Sequence, residues 1–122
     1  MILPDTSIWI DHLNHGDADM EVLLNAGQVV VHPFVLGEVA LGSMSERARV
    51  MFRLGILPAA RKASDKVVLE MIDDHQLAGS GIGFVDAHLV ASCLISGNAY
   101  LWTRDRRLAV VAGRLGIDAT AA

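Results

Sequence analysis

The sequence predicts an α/β fold in which helices cover both faces of a parallel β-sheet. Short apolar segments alternate along the chain with longer segments of helical pattern, and strands that alternate with helices usually pair in parallel. The chain has 122 residues, which is enough for one hydrophobic core but not for two. Its 52% hydrophobic and 20% charged residues are typical of a folded chain. We therefore expect a single domain over residues 1–122.

One apolar run and two helix signals predict the first elements. Met1–Pro4 is apolar and ends at an acid, which is typical of a buried first strand. Thr6–Asn14 has the apolar spacing of a helix. Asp17 is a good N-cap residue for a second helix that ends near Asn25. The continuous β-branched run Val29–Val31 then predicts a strand that is buried on both faces.

The middle of the chain is predicted to hold two helices and an edge strand. Pro33 suits the first turn of the helix that carries Glu38, because its missing N–H needs no partner there. Ser43–Glu46 fits a capping box and predicts a helix from there to about Leu54. Gly55–Pro58 is predicted as a short edge strand, since proline cannot donate a hydrogen bond inside a sheet.

The remaining elements alternate in the same way. Ser64 caps a predicted helix that continues to about Leu77. Phe84–Ile95 is apolar nearly all round, so we expect a central helix. Ala99–Trp102 is predicted as a strand and Arg104–Leu115 as the last helix. The last few residues are expected to form a weak strand or a frayed tail.

The apolar content does not predict a membrane protein. The longest stretch without a charged residue is Ala87–Thr103, and its Gly97-Asn98 pair is a turn signal between a helix and a strand. Asp5 and Asp11 come too early for the apolar region of a secretory signal. The single cysteine, Cys93, cannot form an internal disulfide and is expected to be a small buried hydrophobe. These features predict a cytoplasmic protein.

Charge leaves nucleic-acid binding open. The formal net charge is −4, which does not by itself suggest a partner rich in phosphate. A nuclease need not be basic overall, however, if a metal neutralises its acidic centre and arginines lie at its rim. Eight of the ten basic residues are arginine, the residue better suited to bidentate phosphate contacts.

Four acids are predicted to meet at one end of the sheet. Asp5 and Asp105 directly follow predicted strands. Glu38 lies in the helix after Val29–Val31, and Asp86 lies near the start of the apolar helix. Because sheets of this kind bind ligands at the carboxyl ends of their strands, the convergence of these side chains predicts a functional site there.

Three of these acids also have simpler interpretations. Asp5 could cap the first helix. Asp86 could stabilise a helix N-terminus through the helix dipole. Asp105 could pair with Arg106 or Arg107 on a solvated surface. Each acid taken alone fits its simpler interpretation as well as a role in a shared site.

Glu38 is harder to explain in this way. It is the only charge between Gln28 and Gly42, and a lone carboxylate on an apolar helix requires a partner. Two carboxylates ~5 Å apart repel by roughly 3 kcal/mol at an effective dielectric constant of about 20. A shared divalent cation would reverse that sign, and an all-oxygen site favours Mg²⁺ or Mn²⁺ over Zn²⁺. Such an ion can activate water for attack on a phosphodiester.

The other candidate metal-site residues are less informative. Thr103 could position a water molecule at that ion, although threonine is also common in strands. His12 and His15 are three residues apart, but no thiolate or third imidazole joins them at zinc spacing. We expect structural or surface roles for all five histidines. The alternative for His88 is a supporting contact to Asp86.

The four acids lie within longer motifs of specific order and spacing. These motifs are Ile2-Leu-Pro-Asp5-Thr-Ser-Ile-Trp9-Ile-Asp-His-Leu13, Gly37-Glu38-Val-Ala-Leu-Gly42, Val85-Asp86-Ala-His-Leu-Val-Ala91 and Leu101-Trp-Thr103-Arg-Asp105-Arg-Arg-Leu108. Together they span nearly the whole chain. They resemble the motifs of the PIN domain family and, more narrowly, those of the VapC-type toxins of bacterial and archaeal toxin–antitoxin pairs.

The resemblance implies a fold and a reaction. The fold is a three-layer α/β/α sandwich around a parallel sheet with the strand order 3-2-1-4-5. The reaction is endoribonuclease cleavage of structured RNA such as tRNA or rRNA, dependent on Mg²⁺ or Mn²⁺. Thr6 and Thr103 match supporting positions of the family. The catalytic and metal-binding quartet carried over by motif position consists of Asp5, Glu38, Asp86 and Asp105.

The resemblance also implies partners. It implies a homodimer, or a higher toxin–antitoxin assembly, and a cognate antitoxin whose C-terminal segment covers the cleft. The groove for that segment would involve the helices around Asp17–Asn25 and Ser45–Leu54. We further expect Arg104, Arg106 and Arg107 to contact RNA phosphate at the cleft rim, with a solvated helix start as the alternative.

The chain departs from the family pattern at two positions. Pro4 replaces a usual strand residue and Gly37 replaces a small hydroxyl residue, but neither change removes a carboxylate.

Two other functions are alternatives to the ribonuclease. An aspartyl phosphatase with Asp5 as nucleophile would need a second acid two residues later, where this chain has Ser7. A non-catalytic PIN-fold binding module is the other alternative, and the intact acids argue against it.

Overall fold

The computed structural model describes residues 1–121, and the side chains of residues 1–120. The seven helices of the described chain follow the predicted order, but only the first strand and the strand before the last helix form as regular strands. The elements are β1 (Ile2–Pro4), α1 (Thr6–His15), α2 (Ala18–Asn25), α3 (Pro33–Leu41), α4 (Arg47–Gly55), α5 (Asp65–Asp74), α6 (Phe84–Ser96), β2 (Tyr100–Trp102), α7 (Arg106–Arg114) and a 3₁₀ turn (Ala119–Ala121). The α/β class is therefore confirmed.

β1 and β2 form the centre of a parallel sheet. They pair over three residues each, from Ile2 opposite Tyr100 to Pro4 opposite Trp102. The hydrogen-bonded ladder continues one residue past β1, because the Asp5 N–H donates to the Trp102 carbonyl at 2.9 Å. This bond fixes Asp5 at the carboxyl end of the sheet, where the sequence predicts the site.

The predicted strand Val29–Val31 is reduced to single bridges, and Pro4 supplies the reason. The Ile2 N–H donates to the Gln28 carbonyl at 2.7 Å, and the Ile2 carbonyl accepts from the Val30 N–H at 2.9 Å. The next bond of a parallel ladder would come from the backbone nitrogen of residue 4, and proline has no hydrogen there. Pairing with β1 therefore stops at the bridge between Ile2 and Val29.

Two further bridges extend the parallel arrangement. Val31 bridges Ala59, and Leu101 bridges Asp118. From one edge to the other, the neighbouring segments are Ala59, Val31, β1, β2 and Asp118. Only β1 and β2 are regular strands within residues 1–121, so the complete order 3-2-1-4-5 stays a prediction.

Side-chain caps fix two helix starts as predicted. Asp17 Oδ1 accepts a hydrogen bond from the Met20 N–H at 3.0 Å and begins α2. Ser64 Oγ accepts from the Val67 N–H at 3.2 Å and begins α5. Helix α5 ends at Asp74, earlier than the predicted end near Leu77.

The capping box predicted at Ser43–Glu46 is wrong. Glu46 has φ 52°, in the left-handed region, and its side chain makes no capping hydrogen bond, so α4 begins at Arg47. The Arg47 guanidinium turns back to the end of α3, where it donates to the Gly42 carbonyl at 3.2 Å and to the Ala40 carbonyl. This contact satisfies carbonyl groups that have no partner within α3, and it sets the path of the chain between α3 and α4.

The edge strand predicted at Gly55–Pro58 is also displaced. Gly55 is the last residue of α4, and the Leu57 N–H closes a turn onto the Leu54 carbonyl at 3.3 Å. Pro58 takes part in the sheet only through its carbonyl, which accepts from the Val31 N–H at 2.9 Å. The bridge therefore forms one residue later, at Ala59.

The core lies around the sheet and α6. All seven residues of Ala87–Cys93 are buried, which confirms that this apolar helix is central. Burial raises the pKa of the Cys93 thiol to about 12, as expected for an unreactive core cysteine. No helix within residues 1–121 is both long and apolar enough to cross a membrane.

Candidate active site

Asp5 combines a structural role with its position at the predicted site. Its carboxylate is 4% exposed, at the junction of β1 and α1. Oδ1 accepts hydrogen bonds from the Ile8 N–H at 3.1 Å and from Ser7 Oγ at 3.2 Å, so Asp5 does cap α1. Oδ2 accepts a hydrogen bond from the Thr103 hydroxyl. The capping interpretation is therefore correct, and it fixes the carboxylate at the sheet end.

Thr103 connects Asp5 to Asp105. Its hydroxyl donates to Asp5 and accepts from the backbone N–H of Asp105 at 3.0 Å. Asp105 Oδ1 accepts from the Leu108 N–H at 3.0 Å and caps α7, which therefore begins at Arg106 rather than at the predicted Arg104. Asp105 is exposed and forms no ion pair within the described chain, which contradicts the alternative interpretation of a local pair with Arg106 or Arg107.

Glu38 is joined to the first helix by a second threonine. Thr6 Oγ1 donates to Glu38 Oε1 at 2.6 Å, which links α1 to α3. Glu38 is exposed, although its neighbours in the sequence are apolar. Helix α3 buries Val35 and Val39 but leaves Leu41 90% exposed. The apolar composition of this helix therefore does not show which of its residues are buried.

Asp86 is the half-buried member of the quartet, in the first turn of α6. Burial raises the pKa of its carboxyl above the usual range. The negative charges of Asp5, Asp105 and Glu38 also raise this pKa, the effect of Glu38 being the smallest. The mutual repulsion predicted from the sequence is thus present at Asp86, and three acids distant in the sequence act on it together.

The donor set fits a hard divalent cation. It consists of carboxylate and hydroxyl oxygens, which Mg²⁺ and Mn²⁺ prefer. Within the described residues, no three Asp, Glu, His or Cys side chains are already close enough together to hold one ion. Glu38 and Asp105 are exposed and each has one carboxylate oxygen held by a hydrogen bond, whereas both oxygens of Asp5 accept hydrogen bonds. Two features therefore support a Mg²⁺ or Mn²⁺ site: the oxygen atoms of the side chains, which these ions prefer, and the excess negative charge around Asp86.

The three arginines predicted at the rim differ in their surroundings. Arg104 donates to Asp11 Oδ2 at 3.0 Å and to Asp17 Oδ2 at 2.6 Å, which ties the β2–α7 junction to the first two helices. Arg106 and Arg107 are exposed and form no ion pair with the residues that the structure describes. Arg104 is therefore already neutralised, while the other two guanidinium groups are not.

His88 has a structural environment rather than the alternative supporting contact to Asp86. Its ring is fully buried and packs edge-on against Phe34 at 4.6 Å and Phe84 at 4.8 Å between ring centres. Its Nε2 lies 3.1 Å from Asp65 Oδ1, at the start of α5. His32 is also fully buried, 6.1 Å from His88 between ring centres. These contacts assign both rings to the core.

Sequence reasoning missed two contributors to the site. Ser7 supports Asp5 through its hydroxyl, and a serine two residues after an Asp cap is the signal that could have found it. Asp11 holds Arg104 from 93 residues away in the sequence, and no local pattern indicates that pair. Long-range ion pairs of this kind depend on the completed fold.

Comparison with known proteins identifies the family of this chain. The family model described as the PIN domain matches residues 2–114, and the chain belongs to the PIN domain family. Over 117 residues it is 40% identical to "Ribonuclease VapC32" of two Mycobacterium tuberculosis strains, CDC 1551 / Oshkosh and ATCC 25618 / H37Rv. Each match covers 96% of this chain and 94% of the relative.

Proposed function

We propose that this chain is a metal-dependent endoribonuclease and the toxin of a toxin–antitoxin pair. The observation that carries the proposal is that Asp5, Glu38 and Asp105 all act electrostatically on Asp86, at the carboxyl end of the central strands. The fold family and the ribonuclease name of the relatives support the reaction class. An acidic cluster in this position is suited to phosphodiester hydrolysis.

The same four carboxylates, Asp5, Glu38, Asp86 and Asp105, would hold Mg²⁺ or Mn²⁺. A divalent ion supplies Lewis-acid chemistry when bound, since it activates water and stabilises the leaving oxygen of a phosphodiester. A cation held by the cluster would favour the ionised form of Asp86 and oppose the rise in its pKa that burial and the neighbouring carboxylates cause.

The remaining residues position the carboxylates. Thr103 orients Asp5 and holds the backbone of Asp105, and Thr6 orients Glu38. Their hydroxyls fix the direction of oxygens that would otherwise rotate. We assign Thr6 and Thr103 as positioning residues, because each acts through a carboxylate.

RNA cleavage by the purified chain tests the proposal. With Mg²⁺ or Mn²⁺, we expect the chain to cleave a structured RNA such as tRNA, and we expect EDTA to stop the reaction. Asp86→Asn should abolish cleavage, whereas Asp74→Asn, an exposed acid at the end of α5, should not change it. Undiminished cleavage in EDTA would refute the metal mechanism, and no cleavage of any structured RNA would leave the binding-module alternative in its place.

An apolar groove supports the antitoxin as a partner. It lies between α1, α2 and α4, has a volume of about 270 Å³ and is lined mainly by Trp9, Leu13, Leu24, Val50 and Leu54. An amphipathic segment could bury its apolar side there. We propose that the antitoxin's C-terminal segment binds this groove, that the toxin acts as a homodimer or in a larger complex, and that it resides in the cytoplasm with its RNA.

The phosphatase alternative has weaker support. A nucleophilic Asp5 needs a free carboxylate oxygen in line with phosphorus. Here Oδ1 is engaged by the Ile8 N–H and Ser7, and Oδ2 by Thr103. The carboxylate is also only 4% exposed, which suits a fixed ligand better than a nucleophile.

A further inference from the structure

A basic groove runs along α7 away from the acidic quartet. It has a volume of about 290 Å³ and is lined by Ser80, Arg106, Arg107, Val110, Val111 and Arg114. Helix α7 begins at its cap, Asp105, so the groove starts beside one of the four carboxylates. At 1.5 Å per residue, Arg114 lies about 14 Å along the helix from Asp105.

The three guanidinium groups of this groove are not neutralised. Within the described chain, none of Arg106, Arg107 and Arg114 forms an ion pair with an acid. Arg114 donates only to a neutral group, the His75 carbonyl, at 2.8 Å. Because the whole chain has a net charge of −4, this group of positive charges needs an explanation beyond average composition.

Gly81 is shaped to accept one of these side chains. A Cβ atom on Gly81 would lie 2.6 Å from Arg107 Cδ and 3.0 Å from its NH1, too close for the present arrangement. The absent side chain lets the Arg107 stem lie directly against the loop that leads into α6. The stem of Arg107 therefore lies against the backbone of this loop, while the side chain as a whole remains exposed.

We infer that this groove binds the RNA backbone on one side of the cleaved bond, through at least two phosphates held by Arg107 and Arg114. The inference rests on the proposed function, since it assigns to the groove part of the same RNA. Arg107 and Arg114 are about 10 Å apart along the helix, which spans about three nucleotides at the 3.4 Å rise of a helical strand. Guanidinium groups suit phosphate because each can donate two parallel hydrogen bonds.

The first test measures the salt dependence of RNA binding. An end-labelled RNA hairpin is titrated with the full chain in EDTA, by fluorescence anisotropy, between 50 and 200 mM KCl. Losing two phosphate contacts should weaken binding of the double variant Arg107→Ala/Arg114→Ala about tenfold and reduce the slope of log K against log salt by about 1.5. The matched control, Arg49→Ala/Arg53→Ala on α4, removes the same charge and should change the slope by less than about 0.5.

The second test moves Arg107 without removing a charge. Gly81→Ala places a methyl group against Arg107, whereas Gly79→Ala places one in open space. Both glycines have positive φ, +86° and +79°, so the two variants carry similar backbone strain. We expect Gly81→Ala to weaken RNA binding several-fold and Gly79→Ala to leave it unchanged. Equal melting temperatures of the two variants would show that the difference in binding is not a difference in stability.

The outcomes separate this inference from the proposed function. Cleavage of the same RNA is measured with Mg²⁺ in parallel. If the wild type cleaves but the double variant keeps the wild-type salt slope, the groove assignment is overturned and the ribonuclease proposal stands. If the wild type does not cleave, the ribonuclease proposal fails. Equal weakening of binding to poly-L-glutamate and to RNA by the double variant would assign the groove to an acidic peptide and would overturn the inference.

Discussion

Acidification from pH 7 to pH 5 should destabilise the folded chain through His32. The ring is fully buried, and its Nδ1 accepts a hydrogen bond from the Phe34 N–H at 3.0 Å. Within the described residues, its Nε2 has no hydrogen-bond partner. Burial, followed by the positive charges of His88 and Lys62, lowers the pKa of His32 to about 4. The folded chain therefore holds this ring neutral.

The sign and size of the effect follow from that depressed pKa. Above the unfolded value of 6.5 the ring is neutral in both states, and its contribution to stability is fully present. As the pH falls from 6.5 towards about 4, only the unfolded chain binds the proton, and stability is lost. The loss between pH 7 and pH 5 is about 2 kcal/mol, and the limit at lower pH is about 3 kcal/mol.

Other titrating groups have smaller or opposite effects in this window. The pKa of His88 is also lowered by burial, so it adds to the loss. The pKa of Asp86 is raised, so its protonation stabilises the fold as the pH falls. The pKa values of Asp17 and Asp118 are lowered below 3.8, and their contributions are lost only under more acidic conditions.

Urea unfolding at pH 7 and pH 5, followed by far-ultraviolet circular dichroism, measures the difference. His32→Asn keeps an acceptor for the Phe34 N–H but does not titrate, so the pH-dependent loss should fall to the part that His88 contributes. His15→Asn is the matched control, because His15 is exposed and its removal should preserve the full loss. Equal pH dependence in His32→Asn and the wild type would refute the reasoning.

Three further predictions concern the site and the core. Asp86→Asn should stabilise the chain in EDTA by about 1 kcal/mol and abolish the rise in melting temperature that Mn²⁺ gives the wild type; a preserved rise would contradict a shared metal site. Thr103→Val should reduce the kcat of RNA cleavage about tenfold and Thr103→Ser should restore it, whereas equal rates for both variants would exclude positioning by the hydroxyl. Cys93, 1% exposed, should resist a thiol reagent at pH 8 until urea unfolds the chain, and rapid reaction of the folded chain would contradict its burial.

Helices could be predicted from local signals because their caps are local. Asp17 and Ser64 satisfy backbone donors three residues away, and such bonds depend only on nearby sequence. The prediction failed at Ser43–Glu46, where the Arg47 contact to the preceding helix determines the path. The extent of the Val29–Val31 strand also depended on a distant residue, Pro4, which cannot donate the next ladder bond.

The positions of the candidate site residues were more predictable than their environments. Asp5 and Asp105 lie at the ends of β1 and β2 because parallel strands end at the same edge, which follows from topology. The exposure of Glu38 was not evident from its apolar neighbours, because an exposed helix face can also be apolar in composition. The threonine bridges to Asp5 and Glu38 required the packed structure, since they join residues 98 and 32 positions apart.

If the chain is the proposed ribonuclease, its four carboxylates act as one unit in RNA cleavage. The most direct measurement compares kcat/KM for Asp5→Asn, Asp86→Asn and their double variant, on one structured RNA with saturating Mn²⁺. If both carboxylates serve one metal site, each single variant should lose at least about 10²-fold, and the double variant should lose no more than the worse single one. Losses that multiply in the double variant, or a single variant that cleaves at the wild-type rate, would contradict the shared site.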